Sequence, residues 1–138
     1  MIALERSYSF AASHLYRRPE WSEERNVRTF GKCANLPAHG HNYRLTVLVS
    51  GEVDPETGFA VDLPTLDDLV RRLVVDRLDH RHVNDSVAER FGPGRQIPTS
   101  ENLAIWIAEV LSGSLPDGVR LVEVRVGEDD RLGAVYQP

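Results

Sequence analysis

Cysteine is nearly absent from this chain: Cys33 stands alone among 138 residues. One thiol cannot build an intrachain disulfide framework, and it fits a reducing cytoplasm, where the protein is expected to work. Lysine is as scarce, with Lys32 the single one among 16 basic residues and no block of like charge anywhere. At a net charge of −5 and a pI near 5.5, a nucleic-acid binder relying on counterion release is not expected. No apolar run approaches the roughly 20 residues that a membrane span needs. The first strand is expected to start almost at Met1, so a secreted or membrane-spanning protein is not expected. Repeats, linkers and low-complexity tracts are also missing, so residues 1–138 read as one domain.

What is present is an ordinary globular pattern, 41% hydrophobic and 27% charged. Residues 2–11 alternate as a strand, with Ile2, Leu4, Tyr8 and Phe10 on one face. Residues 43–50 form a second, with Leu45, Val47 and Val49 aligned. Asp62 caps a helix that holds Pro64 in its first turn and ends near Leu78. Its apolar stripe is Leu66, Leu69, Val70 and Leu73. A second helix follows Pro98, capped by Thr99 or Ser100 and stopped by Gly113. Its inner face is Leu103, Trp106, Ile107, Val110 and Leu111. Residues 119–126 set Val122, Val124 and Val126 opposite Glu123 and Arg125, and a short strand covers about 132–136. Residues 15–38 lack sustained periodicity and read as a long loop. The order β-β-α-α-β-β predicts an α+β fold, an antiparallel sheet with two helices on one face. Two unpaired edges on four strands invite pairing with another copy, so a homo-oligomer is expected.

The five histidines carry the chemistry. His39-Gly40-His41 leads into the second strand, and residues two apart on a strand share a face. Gly40 is expected to keep the space between the two rings clear. His14, just past the first strand, is the candidate third ligand, and three histidines with an open fourth position suit catalytic zinc. The plainer reading is a polar strand start. Cys33, six residues before His39, suits a fourth ligand, a reactive base or a small buried hydrophobe. Asp79-His80 suits a proton relay, or simply a histidine at a helix end. His82 reads as a solvated loop residue. Glu101 lies in a first helical turn, and Glu128 lies just past the third strand. There its carboxylate can take two N–H donors from a planar heterocycle, or merely aid solubility.

Taken together, YSFAASH, SEERN, FGKC, C-x5-H-G-H-N-Y, GEVDPETG, LDHRHVND, PTSEN and VRVGE make the chain familiar. It resembles the 6-pyruvoyl-tetrahydropterin synthase family and its relative, 6-carboxytetrahydropterin synthase of the queuosine pathway. The resemblance runs nearly end to end. It implies the tetrahydrobiopterin-synthesis fold (T-fold), with subunits forming a barrel as a dimer of trimers. It implies Zn²⁺ held by His14, His39 and His41, and a nucleophilic or basic Cys33 that is not a ligand. Asp79 and His80 would complete a relay with Cys33 across subunits. Glu128 would anchor the pterin, and Thr99 and Glu101 would contact substrate.

The implied reaction converts 7,8-dihydroneopterin triphosphate to a 6-pyruvoyl product with loss of triphosphate. An internal redox shift consumes no nicotinamide, in keeping with the lack of a G-x-G-x-x-G fingerprint. The C-x5-H-G-H spacing favours the pyruvoyl product, whereas PTSEN is shared more closely with the carboxy-forming type. The alternative from another class is a zinc-binding module of the same fold, with Cys33 closing the metal.

Overall fold

A computed structural model of the chain describes every residue except Pro93, and the side chains of all others except Ala88 and Glu89. Two long strands, β1 (Leu4–His14) and β2 (His39–Ser50), pair antiparallel from Leu4 opposite Val49 to His14 opposite His39. Both extend further towards the histidines than the hydrophobic alternation indicated. β3 (Arg81–His82) adds two parallel residues beside β1, and β4 (Arg120–Gly127) and β5 (Gly133–Tyr136) continue beyond β2. The sheet order is β3-β1-β2-β4-β5. The expected four-stranded antiparallel sheet is thus five-stranded and mixed, because a pairing of two residues leaves no periodicity to read.

One face of the sheet is covered by two helical segments. The first is α2 (Leu63–Val70), a π-helical turn (Arg71–Val75) and α3 (Asp76–Leu78); the second is α5 (Ser100–Ser112). Asp62 caps α2 by accepting the Thr65 N–H at 3.0 Å, and Thr99 caps α5 by accepting that of Asn102 at 3.2 Å. The fully buried stripe of the first segment is Leu66, Val70, Val74 and Leu78, while Leu69 and Leu73 are only half-buried. A stripe repeating every four residues drifts by about 40° per repeat on an ideal α-helix. The wider π turn takes up that drift and keeps all four residues on the sheet. On β4 a bulge sets Val49 opposite Leu121, so Leu121 rather than Val122 joins Val124 and Val126 at the core.

The expected loop at 15–38 contains a helix, α1 (Glu23–Phe30), followed by a 3₁₀ turn (Gly31–Ala34). Ser22 caps α1, Glu23 and Glu24 fill its first turn, and Gly31 ends it at φ +57°. Its one fully buried side chain is Asn26, so no apolar stripe announces it. Between α3 and α5 lie β3, a single turn α4 (Val83–Ser86) and a 3₁₀ turn (Ala88–Phe91). No described helix is long and apolar enough to cross a membrane.

Candidate functional site

The site grows out of the last rungs of the β1–β2 ladder. Phe10, Ala12 and His14 on one strand stand opposite Tyr43, His41 and His39 on the other. The alternation that sends Phe10 and Tyr43 into the core carries the three imidazoles to the end of the same face. There His14 Nε2 lies 3.0 Å from His39 Nε2 and 3.2 Å from His41 Nε2. Two nitrogens bound tetrahedrally to zinc lie about 3.3 Å apart, so each of these two contacts is close to a zinc-ligand spacing. His39 and His41 themselves belong to separate potential groups and would have to close up to share one ion with His14. Burial, with His39 and His41 alongside, pushes His14 down to about 3, which leaves it a neutral imidazole at physiological pH. Gly40 corrects its expected role. It alternates to the opposite face, where a Cβ would come within 3.1 Å of the Ala12 carbonyl oxygen. The glycine admits β1, and clears no space between the rings.

Cys33 arrives on the 3₁₀ turn, which is fastened to the chain leaving β1. Tyr16 N–H donates to the Cys33 carbonyl at 2.8 Å, and Arg17 Nη1 to that of Ala34 at 2.7 Å. Cys33 Sγ then lies 3.9 Å from His39 Nε2. His14, Cys33 and His39 form one potential metal group, and His14, His41 and Glu128 another. Burial and the neighbouring Glu128 push the Cys33 thiol up; a cation among the imidazoles acts in the opposite direction.

Glu128 is buried just past β4. Its Oε1 accepts the Tyr16 hydroxyl at 2.7 Å and the Ser100 hydroxyl at 3.0 Å, while Oε2 lies 3.9 Å from His41 Nε2. Burial, and donation to this carboxylate, hold the Tyr16 hydroxyl well above its ordinary range, so it stays a donor. At the start of α5, Thr99 spends its side chain on the cap and Glu101 is exposed. Ser100, between them, is the one that reaches Glu128.

The Asp79–His80 pair is formed, with His80 Nδ1 2.9 Å from Asp79 Oδ2. Asp79 Oδ1 accepts the Ala11 N–H at 2.9 Å, and the His80 N–H donates to the Ala11 carbonyl at 2.6 Å. The Ala11 N–H, then His80, hold the Asp79 carboxyl below its usual range. His80 adopts φ +58°, and its ring is largely exposed. With Ser13, Asn42 and His82 it lines an open cleft of about 460 Å³ that neither Cys33 nor Glu128 lines. His82 is no free loop residue, since its Nδ1 lies 2.9 Å from Ser13 Oγ.

A family model for 6-pyruvoyl tetrahydropterin synthase matches residues 3–138. The chain belongs to that family. Human 6-pyruvoyl tetrahydrobiopterin synthase is 37% identical over 134 residues, covering 97% of this chain and 90% of that one. The structure of Caenorhabditis elegans 6-pyruvoyl tetrahydropterin synthase superposes with a TM-score of 0.86 at 37% identity, covering 99% and 95% of the two chains. A third relative, dihydroneopterin monophosphate aldolase of Pyrococcus furiosus, is 32% identical over 125 residues, 91% of this chain and 88% of that one. The fold of this family member is therefore that of the solved pterin synthases.

Three site neighbours escaped the motif reading. Tyr16 and Tyr43 each lie two residues from a site histidine, His14 and His41, and that spacing was the available signal. Ser100 gave none, because a serine beside a helix cap reads as part of the cap.

Proposed function

We propose that the chain is a lyase of the 6-pyruvoyl tetrahydropterin synthase type, converting 7,8-dihydroneopterin triphosphate to 6-pyruvoyl-tetrahydropterin with elimination of triphosphate. The observation that carries this is that His14 Nε2 meets both His39 Nε2 and His41 Nε2, beside the buried carboxylate of Glu128. A cation site next to a carboxylate suits a ligand with an oxygen-bearing side chain on a ring that has a guanidine-like edge.

Zn²⁺ is the metal proposed for the three histidines, and when bound it supplies Lewis acidity towards the substrate's side-chain oxygens. Glu128, oriented by Tyr16 and Ser100, accepts the N–H donors of the pterin edge. Thr99 and Glu101 contact the substrate from the start of α5. Cys33 as thiolate takes a carbon-bound proton, and His80, held by Asp79, relays protons. Triphosphate leaves, and an internal redox shift reduces the ring while oxidising the side chain, so no external electron donor is needed.

Within one chain His80 lines a cleft that His41 borders and Cys33 does not, so a second copy would bring the relay together. The sheet's two edges, the two-residue β3 and the four-residue β5 with its exposed Val135, suit such pairing. A cytoplasmic dimer of trimers is the proposed form.

The test is the mass of the product from zinc-loaded protein and 7,8-dihydroneopterin triphosphate. A pyruvoyl-tetrahydropterin mass with free triphosphate is expected. A carboxy-tetrahydropterin with acetaldehyde would assign the chain to deazapurine synthesis, and an aldol-cleavage product to the activity named for the Pyrococcus relative. Folded, zinc-loaded protein without turnover would favour a binding module.

A further inference from the structure

Among the described residues, His14 is the one cluster histidine whose second ring nitrogen is held by a buried side chain. Tyr43 Oη lies 2.6 Å from His14 Nδ1, and His14 is this hydroxyl's hydrogen-bond partner among the described residues. Both side chains are fully buried, and the Tyr43 ring stacks on Phe10 with centroids 4.9 Å apart, so the hydroxyl has little freedom. The neighbouring Tyr16 ring also lies against His14, centroids 4.5 Å apart, but its hydroxyl is turned to Glu128. Packing alone restricts an imidazole's position; it does not choose which nitrogen faces the ion. A partner on Nδ1 does choose, because it fixes the rotation of the ring and the nitrogen left free for metal. For His14 that free nitrogen is Nε2, the atom nearest to both His39 and His41.

We infer that Tyr43 is a positioning residue of the metal centre: its hydroxyl, bonded to His14 Nδ1, locks the ring so that Nε2 is presented with those of His39 and His41. This rests on the metal reading given above. In the loaded state the Nδ1–H donates to Tyr43 Oη, the arrangement that makes an imidazole a better ligand. Phenylalanine at position 43 keeps the ring stack on Phe10 and removes only the oxygen.

The experiment is a zinc titration of wild type and Tyr43→Phe against a chromophoric chelator, under reducing conditions at one pH. Leu66→Ala serves as a control, a core truncation on α2 that removes no polar group from the cluster. Tyr43→Phe is expected to bind zinc about 10- to 100-fold more weakly, and Leu66→Ala to match wild type. Equal affinity of Tyr43→Phe and wild type overturns the inference and leaves the metal reading standing. A wild type that takes up no zinc overturns both. A second readout needs no variant: in zinc-loaded wild type, ¹⁵N NMR should show His14 protonated at Nδ1, with that proton protected from exchange. An unprotonated Nδ1, or one exchanging freely with solvent, overturns the inference as well.

Discussion

Tyr16 Oη donates a 2.7 Å hydrogen bond to Glu128 Oε1, tying the chain just past β1 to the chain just past β4. Ser100 Oγ donates to the same oxygen at 3.0 Å, so one carboxylate atom gathers three parts of the sequence. The other oxygen is left to a ligand and to His41. Glu128→Gln keeps an oxygen acceptor for both hydroxyls but removes the charge. It should retain most of the stability yet bind a pterin analogue roughly 10- to 100-fold more weakly, the loss of about 1.5–3 kcal/mol from charge-assisted bonds. Glu128→Ala also leaves two hydroxyls without their acceptor, at about 1–3 kcal/mol each when buried. Pterin fluorescence titration and urea unfolding separate the two effects. Unchanged pterin affinity in both variants would remove Glu128 from the substrate site.

Cys33 and His39 are 3.9 Å apart, yet their variants should behave differently. Cys33→Ala is expected to keep zinc and lose about 10²- to 10⁴-fold in turnover, the range for a missing proton-transfer group. His39→Ala and His41→Ala should lose both metal and turnover. Zinc content by mass spectrometry, beside the rate, makes the distinction. A Cys33→Ala protein that arrives without zinc would make the thiol a fourth ligand and the chain a structural zinc module.

Much of this site was legible because it is built on a period of two. The alternation that marks Phe10 as core continues through Ala12 to His14, and that of Tyr43 back through His41 to His39. The helix caps could be read because their bonds are local: Asp62 accepts from the Thr65 N–H and hydroxyl, and Thr99, one of the two caps expected, from the Asn102 N–H. What was not legible depends on the rest of the fold. α1 buries only Asn26, the two-residue β3 carries no periodicity, and the bulge that swaps Val122 for Leu121 is set by pairing with β2. The stripe at 66, 70, 74 and 78 needs a π turn that no residue type announces. Ser100 and Tyr16 meet Glu128 only once α5 and β4 are packed.

Asn26 is the keystone of the region that carries Cys33. Its Oδ1 accepts the Arg18 N–H at 2.8 Å, and its Nδ2 faces the carbonyls of Arg18 at 3.0 Å and Ser22 at 3.2 Å. Asn26→Ala strips partners from several backbone groups at once and should cost about 1–3 kcal/mol. Urea unfolding measures the loss. Proteolysis should also locate it, with cleavage gained in residues 17–31 and none in the sheet.

Arg6 grips both oxygens of Asp67 at 2.9 and 2.8 Å, and the Tyr8 hydroxyl donates to Oδ1 at 2.9 Å. Arg6 first, then Tyr8, holds the Asp67 carboxyl below its ordinary value of 3.8. A carboxyl held low in the folded state adds stability that is complete above that ordinary, unfolded value. That stability is lost as pH falls through the folded value. Asp67→Asn should therefore be less stable than wild type at pH 7, with the gap closing as pH drops below about 4. Urea midpoints at both ends of that range test the sign. A gap that widens in acid would contradict it.

The central claim is that the three-histidine cluster, loaded with zinc, makes this chain a triphosphate-eliminating enzyme. The most direct measurement follows triphosphate release from 7,8-dihydroneopterin triphosphate while metal-stripped protein is titrated with zinc. Release should be absent at first, rise linearly, and level off at about one zinc per chain, the stoichiometry of a single site of this type. Release by stripped protein at the full rate, or none at full zinc occupancy, would contradict the account.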